Sequence, residues 1–96
     1  MFQILYHPAV AGTDLPGLNA DIKKRLKSAI ENRLAHAPQD YGKPLRGVLQ
    51  RLWSLRVGDY RIIYLLEEKR VKILQIVARR DAYQAGILEA RRRGWL

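Results

Sequence analysis

The sequence predicts an α+β domain. A small antiparallel sheet, built from an N-terminal strand and a C-terminal three-strand meander, carries an N-terminal helical region packed on it and a C-terminal helix. Three observations predict this. Residues 53–57 and 60–64 alternate in strand fashion on either side of Gly58-Asp59, as a β-hairpin does. Ile22, Leu26, Ile30 and Leu34 recur every fourth residue, as on a helix with one buried face. The remaining strand-like segment follows the hairpin directly instead of alternating with helices, which separates α+β from α/β. The 96 residues read as one domain, 1–96, long enough for a single modest core.

Residues 2–6 are a short apolar run stopped by His7-Pro8 and read as the first strand. Gly12, Pro16 and Gly17 make residues 11–18 a loop or a single irregular turn. Asn19 is a good N-cap, and Asp21 in the first turn opposes the helix dipole. The helix buries Ile22, Leu26, Ile30 and Leu34, with Ala29 and Ala37 beside them, and Pro38 ends it. Lys23, Lys24, Lys27 and Asn32 form its solvated face. Residues 38–47 read as a loop punctuated by Gly and Pro.

The hairpin follows. Gly58-Asp59 suits a type II′ turn, because glycine accepts the positive φ required at the first central position. A two-residue loop pairs Val57 with Tyr60, Arg56 with Arg61, Leu55 with Ile62 and Trp53 with Tyr64. Residues 71–78, rich in Val, Ile and Leu, form the third antiparallel strand after Glu67-Glu68-Lys69. Asp81 and Gln84 have capping-box spacing, and the last helix spans about 82–93, ending on Arg91-Arg92-Arg93 and Gly94. The exposed residues of the two long helices, Arg91 to Arg93 among them, serve either partner docking or ordinary solubility.

Composition narrows function. Eighteen Lys+Arg against nine Asp+Glu give a net charge of +9, which points to RNA, DNA or an acidic protein as partner. No cysteine is present, which excludes disulfides, zinc thiolate sites and thiol catalysis. His7 and His36 lack metal-ligand spacing and read as surface or cap residues, so no metal and no cofactor is expected. No apolar run approaches the ~20 residues of a membrane span, and no signal peptide stands at the N-terminus, so a cytoplasmic protein is expected.

The Arg56–Arg61 pair is the most informative feature. Like charges directly opposite each other on a sheet are destabilising, so such a pair suits a bound anion. If the third strand pairs across Glu68-Lys69 without irregularity, Ile76 lies opposite Arg61, and Ala78 and Arg80 extend that face with Ile63 and Leu74. Arg56, Arg61 and Arg80 would then converge at one end of the sheet beneath Tyr83; a one-residue slip would move Arg80 to the other face. Guanidinium forks fit phosphate oxygens bidentately, and a tyrosine can stack on a base or donate a proton to a leaving oxygen. Exposed strand-end arginines with Tyr83 as a helix anchor remain the alternative on spacing alone.

The tract Gly42-Lys43-Pro44-Leu45-Arg46-Gly47, then residues 52–64, LWSLRVGDYRIIY, closely resembles the RelE/ParE superfamily, the toxins of type II toxin–antitoxin systems. Residues 76–83, IVARRDAY, resemble the family's closing strand and its basic pair-Asp-x-Tyr signature, and Tyr6-His7-Pro8 with Asp14-Leu15 resemble its opening. The resemblance spans nearly the whole chain. It implies a RelE-like fold and, for RelE-like members, cleavage of mRNA in the ribosomal A site without a metal or cofactor. By motif match Arg61, Arg80 and Tyr83 become the catalytic candidates, and Arg56, Lys43, Arg46 and Arg79 the RNA-binding candidates.

One departure matters. The family's ribosome-dependent members carry lysines or other acid/base residues in the strand before the turn, where this chain has Leu52 and Ser54, so no general base is identifiable. Arg51 falls on the other face from Arg56 by alternation, and arginine is a poor base. The resemblance therefore leaves three readings: a ribosome-dependent mRNA endoribonuclease that inhibits translation, a ParE-like toxin that poisons DNA gyrase without RNA cleavage, and an inactive basic nucleic-acid-binding relative. Both toxin readings imply a cognate antitoxin, acidic or amphipathic and folding on binding, in a complex that binds operator DNA through the antitoxin. The nuclease reading adds ribosome and mRNA as partners; none of the readings involves a membrane.

Overall fold

The computed structural model describes residues 1–45, 52–81, 89, 92 and 93. Five strands form one sheet: β1 (Gln3–Tyr6), β2 (Lys43–Pro44), β3 (Leu52–Val57), β4 (Tyr60–Glu67) and β5 (Arg70–Ala78), in the order β1-β5-β4-β3-β2. Helix α1 (Ala20–Ala29) runs on into a wider π-helical turn, Ile30–Leu34. A short α2 (Pro38–Tyr41) begins on Pro38, whose missing N–H costs nothing at a helix start. The α+β architecture is the expected one, and Asn19 caps α1 as predicted, its side chain accepting from the Ile22 N–H at 2.9 Å.

Three expectations are corrected. The sheet is mixed, because β1 runs parallel to β5, with Gln3 opposite Arg70 and Tyr6 opposite Ile73. Tight turns force the meander to be antiparallel, whereas β1 and β5 are separated by the helices and three other strands and are free of that constraint. The segment expected as a loop from 38 to 47 holds α2 and the edge strand β2, with Lys43 opposite Ser54 and Pro44 opposite Trp53. The register of β5 slips after Tyr64↔Ile73: Ile63 faces Gln75, so Arg61 lies opposite Val77 and not Ile76. The extra residue is Leu74, a β-bulge that turns Ile76 to the other face. The proposed Asp81–Gln84 capping box and most of the C-terminal helix lie outside the described residues.

The sheet carries apolar side chains on both faces. Against α1, Leu55, Ile62, Tyr64, Val71, Ile73 and Ile76 pack with Val10, Leu26, Ile30 and Leu34. On the opposite face Leu52, Ile63, Leu65 and Leu74 cluster with Leu45 and Val77. Trp53 stacks on Tyr64 across the β3–β4 ladder, ring centroids 6.4 Å apart, in the predicted register.

Tyr64 is fully buried and donates from its hydroxyl to the Pro38 carbonyl at 2.7 Å, tying α2 to the sheet. Gly42 passes so close that a Cβ there would overlap the Tyr64 hydroxyl. Because tyrosine and backbone are both held, Gly42→Ala is expected to cost about 3 kcal/mol in a urea melt. Burial also pushes the Tyr64 phenol well above its ordinary range. A group whose pKa is raised by folding gives its full stabilisation below the unfolded value, near pH 10, and loses it as pH climbs from there towards the folded value. Stability should therefore fall above about pH 10 more steeply than in Tyr64→Phe, by up to about 1.4 kcal/mol per pH unit, in paired denaturant titrations.

Where β1 stops, an ion pair takes over. Arg93 grips Asp14 with both terminal nitrogens at 2.7 and 2.8 Å, and the two side chains are only 4% and 6% exposed. Asp14 Oδ2 also accepts from the Ile76 N–H at 2.9 Å, and Arg93 Nη1 donates to the Leu74 carbonyl at 2.9 Å. The pair thus satisfies backbone groups of β5 that β1 does not reach. The Asp14 hydrogen bonds raise the Arg93 pKa further. Arg93, read from sequence as a docking or solubility residue, is structural; Arg92 stays exposed and Arg91 lies outside the described residues. His7 completes the knot: its Nδ1 accepts from the Ala9 N–H at 3.0 Å and its Nε2 lies 3.0 Å from the Arg93 carbonyl oxygen.

Candidate functional site

Two turns and one strand end build the site. Gly58 has φ +58°, and among the described residues Glu68 is the only non-glycine with positive φ, so Asp59 is conventional and the hairpin turn is the type II′ predicted. This turn sets Arg56 directly opposite Arg61. At the end of β5 the chain tightens into a 3₁₀ turn, Arg79–Asp81, pinned by the Arg79 N–H donating to the Asp59 carbonyl at 2.7 Å. That bond holds the basic pair beside the hairpin tip.

The result is an open cleft of about 730 Å³ lined by Asp59, Tyr60, Arg61, Ala78, Arg79 and Arg80. Arg61 is half-buried, and its Nη1 lies 3.3 Å from the Ser54 hydroxyl oxygen, to which it donates; Arg79 and Arg80 are exposed. An anion entering the cleft meets one arginine braced by the sheet and two on the surface. Guanidinium groups stay charged at any working pH and present several N–H donors to phosphate oxygens.

The sequence-predicted residues divide. Arg61 and Arg80 do share the cleft, although the bulge overturns the strand-face reasoning that joined them: β5 ends at Ala78, and the 3₁₀ turn, not alternation, delivers Arg80. Arg79 lines the same cleft. Arg56, opposite Arg61 in register, instead lines a neighbouring groove with residues of α1. Lys43 is exposed on edge strand β2, opposite Ser54 and on the Arg61 face of the sheet. Tyr83 and Arg46 lie outside the described residues, as does Arg51. Leu52 is buried in the second apolar cluster and Ser54 beneath Arg61, so neither offers a base. Asp59 and Tyr60 were not singled out from sequence; their place beside Arg61 in a two-residue turn was the available signal.

Comparison with known proteins places this geometry. Residues 7–83 match the family described as ParE toxin of type II toxin–antitoxin system, parDE. The chain belongs to this toxin family. It is 36% identical over 84 residues to Toxin RelE of Mycobacterium tuberculosis, covering 82% of this chain and 87% of that one. Its fold matches the toxin–antitoxin complex RelBE2 of the same organism with a TM-score of 0.75 at 28% identity, over 81% of this chain and 98% of the other. The RelB–RelE antitoxin–toxin complex of Methanococcus jannaschii shares the fold with a TM-score of 0.65 at 22% identity, over 82% and 94% of the two chains. The protein is thus a RelE-like toxin of a type II toxin–antitoxin system. Among its described residues, no helix is long and apolar enough to cross a membrane.

Proposed function

We propose that this toxin is a ribosome-dependent mRNA endoribonuclease that cleaves without a metal ion and thereby inhibits translation. The observation that carries the reading is the cleft in which Arg61, Arg79 and Arg80 converge beside the hairpin tip. In cleavage by attack of a 2′-OH on its own phosphodiester, negative charge grows on the phosphoryl oxygens. Arginines fixed before the reaction stabilise that charge, by a few kcal/mol for a well-placed donor. Arg61 and Arg80 take this role; Arg79, Lys43, Arg46 and Arg56 hold the flanking backbone. Tyr83 donates the proton to the departing 5′ oxygen or stacks on a base. The partners are ribosome and mRNA. A cognate antitoxin that folds on binding neutralises the toxin, a reading supported by the toxin–antitoxin complexes among the fold's relatives.

Gyrase poisoning is the second reading, and one observation favours it: the strand positions where a base is expected hold the buried Leu52 and Ser54. Primer-extension mapping of an mRNA in cell-free translation, with and without active ribosomes, separates the two. Cuts that require translating ribosomes support the nuclease. Intact mRNA at toxin concentrations that still arrest growth moves the assignment to gyrase.

A further inference from the structure

We infer that the groove between α1 and the β3–β4 turn is a second RNA-binding site, holding phosphodiester backbone beyond the Arg61 cleft. This deepens the nuclease reading and rests on it. The groove, of about 1000 Å³, is lined by Lys24, Arg25, Arg33 and Arg56, with Ser28 and Asn32 as further polar groups and, among the described residues, Asp21 as the one carboxylate. Helical spacing puts Arg25 and Arg33 on one row of α1 and its π-helical extension, and Lys24, Ser28 and Asn32 on the next, all facing the same trough.

Three features separate it from an ordinary solvated helix face. First, its cations are not spent on ion pairs: Lys27, which does not line it, pairs with Glu31 at 3.9 Å, whereas Lys24, Arg25 and Arg56 have no carboxylate partner among the described residues. Second, it meets the cleft at the hairpin tip. Val57 and Gly58 line the groove while Asp59 and Tyr60 line the cleft, and the Arg25 guanidinium lies over Gly58, 3.4 Å from where a Cβ would stand. Third, an aromatic outside the lining adjoins it: Tyr41, 53% exposed, has the guanidinium of the lining residue Arg33 over its ring at 6.0 Å.

A cationic trough with an exposed aromatic at its margin fits single-stranded nucleic acid, where arginines track phosphates and an aromatic face takes a base. An acidic peptide that folds on binding is the poorer match. Such a segment needs apolar anchors to offset its ordering, and among the described residues the apolar side chains lining the groove are Ala29 and Val57. The backbone could come from the mRNA flanking the cut or from ribosomal RNA; the chemistry of recognition is the same.

The test uses the full chain as Arg25→Gln/Arg33→Gln, with Arg61→Ala as the cleft control and thermal melts to confirm folding. Both groove positions are exposed, so melts should match the native chain. Binding to a fluorescent 12-nucleotide single-stranded RNA is followed by anisotropy across a salt series, and binding to ribosomes by pelleting. The expected result is an affinity loss of about tenfold and a salt slope shallower by about 1.4, from two lost phosphate contacts. Loss in the oligonucleotide arm assigns the groove to mRNA; loss confined to pelleting assigns it to ribosomal RNA; either supports the site. If Arg61→Ala weakens RNA binding and the double variant does not, the groove is overturned while the nuclease reading stands. If neither substitution changes RNA or ribosome binding, the groove is overturned, and the nuclease reading is then decided by the primer-extension cuts alone. Native RNA binding with lost neutralisation by the co-expressed antitoxin overturns the proposal and gives the groove to a protein.

Discussion

Asp14→Ala should destabilise the toxin by about 3–5 kcal/mol, enough to unfold much of a domain of this size at physiological temperature. The reason is what it leaves behind. Arg93 is 4% exposed and keeps its charge, so deleting the carboxylate strands a buried cation and frees the Ile76 N–H at once. Urea denaturation should show a much lower midpoint with an unchanged slope. The exposed Lys27–Glu31 pair is the control: at 72% and 58% side-chain exposure, its removal should cost no more than about 0.5 kcal/mol. An Asp14→Ala loss as small as the control's would mean that water reaches Arg93 and that the pair does not complete the edge of β5.

On the proposed nuclease reading, Arg61→Ala should lower mRNA cleavage by about 10²–10³-fold while leaving the fold intact. Its guanidinium lines the cleft, half-buried and 3.3 Å from the Ser54 hydroxyl to which it donates, so the fold of the variant is measured beside its rate. The two effects separate by measurement: initial cleavage rate on translating ribosomes against the denaturant midpoint of the isolated variant. Full activity in a folded Arg61→Ala protein would remove the cleft from the mechanism. Arg61→Lys should recover only part of the rate, because an ammonium keeps the charge but loses the planar fork.

Much of this was legible in the sequence, and the exceptions have physical causes. The hairpin could be read to the residue because a two-residue turn leaves one register, and Gly58 names the turn type. The Asn19 cap could be read because its chemistry is local. The direction of β1 could not, since an isolated strand carries no sign of which way its neighbour runs. Nor could the Leu74 bulge: Ile73, Leu74, Gln75 and Ile76 contain no glycine or proline to announce an extra residue. That omission misplaced Ile76, yet the basic pair still reached the cleft because Asp59 holds the 3₁₀ turn through its backbone. Arg93 was misread because an arginine in the last turn of a helix ordinarily serves the dipole, and only the three-dimensional closeness of Asp14 reveals its burial.

The ion pair that extends β1 along β5 also bears on time. It joins residues 79 apart, and the Asp14 bond to Ile76 spans 62, whereas the β3–β4–β5 meander is built from neighbours in the chain. Contacts that must first close so long a loop form late, after the hairpins have condensed. The Asp14 interactions are therefore expected to be nearly absent from the folding transition state, with φ close to zero. The free energy lost in Asp14→Ala then falls on the unfolding rate, which rises by about two to four orders of magnitude while refolding stays near its native speed. The pair governs how long the folded toxin lasts rather than how quickly it forms.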